Sequence, residues 1–159
     1  IGGRQEVMNT FSGKDGAPFI FTGGTFSGNP LTMTAGIAAT THMRDNQDEI
    51  YPYLMEQGNR LAEEVNSFCE SRQIPARLMN AGSMFHLEFT NKDVNSSRDL
   101  SGDWRIAERE FYLHLLGHNV IVPGIHLAFL SDAHRPEHVD AVIEAFKASF
   151  EDLQADGLV

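Results

Sequence analysis

Glycines and hydroxyl side chains are concentrated in one short stretch, Thr22–Pro30, whose composition suits the binding of an anion. Gly24 and Gly28 allow the backbone to bend and to approach a ligand closely. Thr25 and Ser27 offer hydroxyl donors. The asparagine and proline at the end of the stretch are typical of a helix N-cap and a first helical residue, so free N–H groups would face the loop. The stretch predicts a phosphate-binding loop, although the pattern also fits a plain turn that leads into a helix.

Three further motifs accompany this loop. Small residues, Thr-Ala-Gly-Ile-Ala-Ala, occupy 34–39; Ala-Gly-Ser-Met-Phe occupies 81–85; and an alanine-histidine pair stands at 133–134. Together with Gly-Thr-Phe-Ser-Gly-Asn-Pro-Leu at 24–31, these motifs closely resemble the class III pyridoxal phosphate (PLP) aminotransferases. Within that family they are most similar to the glutamate semialdehyde aminomutase branch, and the resemblance extends along nearly the whole chain.

The resemblance implies a cofactor, a partner and a substrate class. In the family, the threonine that matches Thr25 hydrogen-bonds the phosphate of the pyridoxal 5'-phosphate bound by the neighbouring subunit. A homodimer with a phosphate site shared across the subunits is therefore implied, with Gly24, Ser27 and Gly28 completing the cofactor-binding loop. The substrates implied are small molecules, namely an amino acid or amine and a keto acid or aldehyde.

The residue that attaches the cofactor in such enzymes has no counterpart here. A Schiff-base lysine needs a desolvated or electrostatically tuned amine. The sequence contains three lysines, Lys14, Lys92 and Lys147, and none stands where the resemblance places the reactive one, a short way upstream of a segment like 1–8. We therefore predict no catalytic residue in this chain, and we expect it to be the C-terminal portion of a longer enzyme, inactive alone.

Composition and charge exclude several classes of partner. The chain has 159 residues, 42% of them hydrophobic, which is typical of a globular protein with its own core. Its net charge of -10 argues against binding to nucleic acids or anionic membranes, and no apolar run approaches the ~20 residues of a membrane span. The single cysteine, Cys69, excludes an internal disulfide and favours the cytoplasm.

Hydrophobic periodicity predicts four helices, at about 30–44, 48–71, 104–116 and 136–153. One half-buried strand, with one face exposed to solvent, is predicted within 77–90, where Phe85, Leu87 and Phe89 alternate with polar residues. Two short strands are predicted at 120–122 and 127–130, joined by a Pro-Gly turn. A further short strand is predicted at 18–21.

The order of these elements predicts an α+β fold with helices on one face of an antiparallel sheet. The resemblance implies that residues 46–159 form the small C-terminal domain of a fold-type I PLP-dependent transferase. It also implies that residues 1–45 are the tail end of the large α/β domain, carrying the phosphate loop and a linker helix.

Other residues that could do chemistry have simpler explanations. His114 and His118 have a metal-ligand spacing with Glu110 one turn earlier, but Gly117 interrupts the helix and no fourth ligand is evident, so we predict a solvated helix end and no metal site. The second such pair of histidines, at 134 and 138, is expected to order a helix start. We expect Gly82–Phe85 either to begin a buried strand or to contact substrate.

Two arginines, Arg77 and Arg105, are candidates to bind a substrate carboxylate. In the aminomutase, a glutamate stands between the late proline and the alanine-histidine pair, whereas this chain is shorter there and reads Gly-Ile-His-Leu at 124–127. A donor or acceptor other than that of the aminomutase is therefore expected. Two alternatives remain open: a non-catalytic module that binds another phosphate, and a structural domain that oligomerises through the helix at 30–44.

Overall fold

The structure, a computed structural model, describes residues 3–11, 23–100, 104–122 and 127–159. They divide into two compact units, Ile1–Asp45 and Asn46–Val159, which are described separately below. The predicted strand at 18–21 and the predicted Pro-Gly turn at 123–124 lie outside the described residues. Within the described ranges, no helix combines the length and the apolar character needed to cross a bilayer.

The first unit consists of helical segments joined by turns. A four-residue helix, α1 (Gln5–Met8), continues into a single 3-10 turn at Asn9–Phe11, and α2 follows at Pro30–Asp45. The predicted helix at about 30–44 is thus confirmed. None of the residues of α2 is buried, and its apolar side chains are therefore open to solvent.

The second unit contains helices on one side of a three-stranded antiparallel sheet, as the predicted α+β class requires. Its elements are α3 (Gln47–Arg72), β1 (Ala76–Ala81), β2 (Met84–Phe89), α4 (Arg105–Gly117), β3 (Ala128–Phe129) and α5 (Pro136–Ala155). The strand order is β1-β2-β3. In the register, Ala76 faces Phe89 and Ala81 faces Met84, while Phe129 of β3 lies opposite Met84.

The helices follow from the spacing of their apolar residues. In α3, Ile50, Leu54, Leu61 and Val65 recur at intervals of four and seven residues and are all buried. The helix ends where Gln73 takes the left-handed conformation, with φ of 59°, and caps the last turn with its N–H.

The core lies between the sheet and these helices. Phe111 of α4 is fully buried, and its ring centroid lies 5.1 Å from that of Phe146 and 4.6 Å from that of Phe150, both on α5. Phe89 of β2 approaches Phe111 at 5.9 Å. The contacts of Phe111 with Phe89 and Phe146 are edge-to-face, and such contacts add to the burial of the rings. Because these rings join α4 and α5 to the sheet, the second unit has a core of its own.

Three sequence-based expectations about the strands were wrong. Residues 77–90 form two strands of a hairpin rather than one, because Gly82 and its neighbour make a turn with φ of 60°. Residues 120–122 are not a strand, since the Val120 N–H instead bonds to the Leu115 carbonyl at the end of α4. The face of the strand within 77–90 that was expected to be exposed to solvent is partly covered, because Glu88 of β2 and Thr90, just after β2, are buried.

Candidate functional site

The predicted phosphate loop consists of two consecutive tight turns before α2. The Ser27 N–H donates to the Gly24 carbonyl over 2.9 Å, and the Asn29 N–H donates to the Phe26 carbonyl over 3.1 Å. Gly28 has a φ of 73°, a conformation that costs other residues about 1 kcal/mol or more. The glycine is therefore required by the turn itself.

Asn29 caps α2 as predicted. Its side-chain oxygen accepts hydrogen bonds from the N–H groups of Leu31 at 3.0 Å and Thr32 at 3.2 Å. These are donors that an anion at the helix start would need. The expectation that free N–H groups of the helix face the loop was therefore wrong for these two groups, because the cap residue occupies them.

The four predicted cofactor-binding residues, Gly24, Thr25, Ser27 and Gly28, lie together in this loop, and all are exposed. A side chain at Gly24 would place its Cβ 3.3 Å from the Ser27 Oγ, so glycine leaves room for that hydroxyl. Within the described part of the chain, the hydroxyls of Thr25 and Ser27 have no hydrogen-bond partner. The loop thus offers two free hydroxyl donors on a backbone that can approach a phosphate, and these residues fit such a group.

The lysines in the described part of the chain do not offer a Schiff-base amine. Lys147, on α5, bonds through Nζ to Glu64 at 3.1 Å and Glu144 at 3.2 Å. Partial burial alone would lower the pKa of Lys147, but the hydrogen bonds to these two glutamates raise it above its ordinary value. Its amine therefore stays protonated and ion-paired. Lys92 lies in an exposed turn after β2, and Lys14 lies outside the described residues.

The Gly-Ser-Met-Phe motif forms the β1–β2 turn and the start of β2. Gly82 occupies the left-handed turn position, and Phe85 is buried in the core. The turn packs against Gly58 of α3 so closely that a Cβ built on Gly58 would lie 1.9 Å from the Gly82 carbonyl oxygen. Gly58 positions this motif and was not predicted to do so, although a glycine in the middle of a strong helix pattern is a signal of such packing.

His114 of α4 and His118, which caps the end of α4, were predicted to form a solvated helix end, but their side chains bond to carboxylates at the end of α5. His114 Nε2 lies 3.0 Å from Asp156 Oδ2, and His118 Nε2 lies 2.7 Å from Asp152 Oδ2. Across the described ranges, no group of three or more His, Cys, Asp or Glu side chains is arranged to hold a metal ion. The pairs therefore contribute to packing between helices.

The second pair of histidines orders the start of α5, as expected. His134 Nδ1 accepts the N–H of Ser131, and His138 Nδ1 accepts the N–H of Arg135, each over 2.9 Å. The Tyr53 hydroxyl of α3 donates to the His134 carbonyl over 2.6 Å. The alanine-histidine motif is therefore a structural turn that α3 holds in place.

Of the two candidate arginines, Arg77 lines a small cavity of about 170 Å³ beside β1. Arg77 is exposed and bonds to Asp93 Oδ1 over 2.9 Å, so its guanidinium already has a carboxylate partner. Arg105 is exposed at the start of α4. Residues 124–126, where a difference from the aminomutase is expected, lie outside the described residues.

The sequence is similar to curated aminomutases along almost its whole length. No protein-family model matches the chain. Glutamate-1-semialdehyde 2,1-aminomutase from Clostridium botulinum (strain Eklund 17B / Type B) is 30% identical over 148 residues, which are 91% of this chain and 34% of the relative. Glutamate-1-semialdehyde 2,1-aminomutase 2 from Exiguobacterium sp. is 32% identical over 157 residues, 98% of this chain and 35% of the relative. The chain thus spans about a third of the length of these relatives.

Solved structures agree with the sequence comparison. An omega-transaminase from Sphaerobacter thermophilus superposes with a TM-score of 0.70 at 27% identity, covering 96% of this chain and 35% of that one. A β-phenylalanine aminotransferase from Variovorax paradoxus gives a TM-score of 0.67 at 26% identity, with coverage of 97% and 35%. In sequence and fold the chain therefore resembles the transaminases and the glutamate-1-semialdehyde 2,1-aminomutases over about a third of their length.

Proposed function

We propose that this chain is the C-terminal portion of a cytoplasmic, PLP-dependent aminotransferase or aminomutase. The parent enzyme transfers an amino group between an amino acid or amine and a keto acid or aldehyde. One observation carries this proposal: the match covers 91% to 98% of this chain but only about a third of each aminomutase. Under this proposal, residues 46–159 are the small domain and residues 1–45 belong to the large cofactor-binding domain.

The loop before α2 is proposed to hold the phosphate of the cofactor. Thr25 and Ser27 donate their hydroxyls, while Gly24 and Gly28 let the backbone approach the phosphate oxygens. PLP, when bound, supplies the electron sink that stabilises negative charge at the substrate carbon. The described residues of this chain position the phosphate through hydrogen bonds, and the covalent attachment point belongs to another part of the parent polypeptide.

We further propose that the parent is a homodimer in which this loop serves the cofactor of the neighbouring subunit. The exposed apolar side chains of α2 support this: Leu31 is 79% exposed, Ile37 is 64% exposed and Met33 is 53% exposed. Large apolar side chains that are this exposed to solvent on one helix are typical of a surface that another polypeptide covers. The small residues at 35, 36, 38 and 39 would allow that polypeptide to approach the backbone of α2 closely.

The same exposed helix also favours a second candidate function. The chain would then be a non-catalytic module that oligomerises through α2 or binds a phosphate group unrelated to PLP. The two functions differ in their ligand, because only the cofactor proposal requires selectivity for the phosphate of PLP.

Two experiments test the cofactor proposal. In a ³¹P NMR titration of the chain with PLP, we expect saturable binding that is weakened by Thr25→Val, since this change removes one hydroxyl donor and keeps the shape. Thr40→Val is the matched control, because the Thr40 hydroxyl is occupied by the Gly36 carbonyl at 2.7 Å. Equal affinity of both variants would contradict the assignment of the loop.

The second experiment tests the absence of a reactive lysine. After incubation with PLP and reduction with borohydride, we expect mass spectrometry of the chain to show no stoichiometric phosphopyridoxyl-lysine. The ion-paired ammonium of Lys147 cannot attack the aldehyde while it is protonated. Lys147→Arg, which keeps the positive charge, is the control for background labelling. Stoichiometric modification of Lys147 or of either other lysine would refute the proposed location of the attachment point.

A further inference from the structure

The outward face of α4 carries large apolar side chains. The opposite face of this helix lies in the core, where Phe111 and Leu115 are fully buried. On the outward face, Ile106 is 64% exposed, and Leu113 and Leu116 are each 55% exposed. Because residues spaced by three and seven positions lie on the same side of a helix, these three form one continuous surface. We call this surface the α4 stripe.

The charges of α4 distinguish it from the other helices of the second unit. α4 has two arginines and two glutamates, whereas α3 has six acidic and two basic residues and α5 has five and one. The net charge of -10 therefore arises mainly on other surfaces. Since surface charges are largely screened beyond about 8 Å at physiological ionic strength, two copies of the chain can meet at α4 without strong repulsion.

The order of residues along the α4 stripe suits a two-fold axis. Ile106 lies at the N-terminal end, Leu113 and Leu116 lie at the C-terminal end, and Arg109 and Glu110 lie between them. In an antiparallel pair of α4 helices, Ile106 of one copy therefore meets the leucine end of the other, and the same contact occurs twice. Arg109 Nη2 lies 2.6 Å from Glu110 Oε1, so the middle of the stripe carries no net charge. A surface that complements itself in this way favours a second copy of the chain as its partner.

We propose that the α4 stripe is a contact between two copies of this chain, formed by antiparallel packing of their α4 helices. α4 has 13 residues and is about 20 Å long. One pair of helices of that length buries less than the roughly 1,200 Å² of a stable interface, so the contact alone is weak. It requires neither PLP nor the α2 contact of the proposed function. A parent enzyme that forms both contacts would assemble beyond a dimer.

Sedimentation velocity over a range of concentrations measures this contact in the 159-residue chain. All variants carry Ile37→Gln, which replaces an exposed apolar residue of α2 and so weakens the other contact. We expect the Ile37→Gln chain to self-associate reversibly. Adding Leu113→Gln should raise the dissociation constant by about tenfold or more, because the two-fold axis removes two leucines at once. Met55→Gln is the matched control and should leave the dissociation constant unchanged, since Met55 is 51% exposed on the acidic α3.

Two charge variants test whether α4 meets α4. Arg109→Glu makes the middle of the stripe negative in both copies, and Glu110→Arg makes it positive in both, so each variant alone should associate more weakly. When the two variants are mixed in equal amounts, opposite charges face each other. We therefore expect the mixture to associate more tightly than either variant alone. A partner other than a second α4 helix does not predict this rescue.

Three results would overturn the α4 contact. The Ile37→Gln chain could stay monomeric at the highest concentration, Met55→Gln could weaken association as much as Leu113→Gln, or the mixed charge variants could associate no more tightly than either alone. The α2 contact of the proposed function is tested separately, by comparing the unaltered chain with Ile37→Gln. Equal association of those two proteins would refute the α2 contact and leave the α4 contact unaffected.

Discussion

The close approach of α3 to the β1–β2 turn makes Gly58→Ala the most informative single substitution. A Cβ on Gly58 would lie 1.9 Å from the Gly82 carbonyl oxygen and 2.9 Å from its carbonyl carbon. Both are backbone atoms, so no side chain can rotate away. The helix and the turn must separate by about 1.5 Å before the shorter distance reaches the 3.4 Å of ordinary contact.

Two opposing effects set the size of the change. Alanine in a helix is more favourable than glycine by about 1 kcal/mol. Overpacking of a well-packed contact costs about 3 kcal/mol at the upper end of its usual range, and the overlap here is with rigid backbone. The net loss is about 2 kcal/mol, which for a unit of this size lowers the thermal midpoint by roughly 8 °C. Circular dichroism of the 159-residue chain during heating measures it.

Gly117→Ala is the matched control. Gly117 is also a helical glycine of the second unit, but a Cβ there meets no atom within 4 Å. Its substitution should leave the midpoint unchanged or raise it slightly, by helix propensity alone. If Gly58→Ala behaves like Gly117→Ala, the turn does not lie against α3 as described, and the argument that Gly58 positions the Gly-Ser-Met-Phe motif is refuted.

Two further predictions concern β1 and the cysteine. The Asn66 side chain donates to the Leu78 carbonyl over 2.9 Å and accepts the Leu78 N–H over 2.8 Å. We expect Asn66→Ala to leave both groups of this edge strand unpaired and to lower the free energy of unfolding in urea by about 2 kcal/mol. A decrease below about 0.5 kcal/mol would show that water replaces the amide. Burial, and to a lesser extent Glu70, raises the pKa of the Cys69 thiol from 9.0 to about 12, so we expect no reaction with a disulfide reagent at pH 8 in the folded chain and complete reaction after unfolding. Because the thiol pKa is higher in the folded state, the contribution of Cys69 to the free energy of unfolding is complete below pH 9 and is lost as the pH rises towards 12. Rapid labelling of Cys69 in the folded chain would contradict both its burial and its raised pKa.

The helices were predictable because their signal is local. Periodicity predicted a helix at about 48–71, and the structure has α3 at Gln47–Arg72. The last helix was expected at about 136–153 and extends over Pro136–Ala155. In both cases the apolar residues that define the period are also those that the core buries, so local pattern and tertiary packing agree.

The strands were harder to predict because their pairing is decided by distant residues. The run Val-Ile-Val at 120–122 has high strand propensity, but Asn119 adopts a φ of 64° and the next N–H closes the end of α4. The edge of β2 that this run could have joined is instead taken by β3, and the Leu130 N–H donates to the Ser83 carbonyl over 2.9 Å. Propensity describes what a segment can form, not which partner is free to pair with it.

The candidate loop shows the same limit in the chemistry of binding. Asparagine before proline correctly predicted the start of α2, yet the atom that caps the helix, Asn29 Oδ1, also occupies the N–H groups of Leu31 and Thr32. The residue that best marks a helix N-terminus in a sequence is thus one that competes with an anion for its donors. It follows that any affinity of this loop for phosphate must come mainly from the Thr25 and Ser27 hydroxyls and from N–H groups of the turns. Removing one hydroxyl is for this reason a sharper test of the loop than removing the cap.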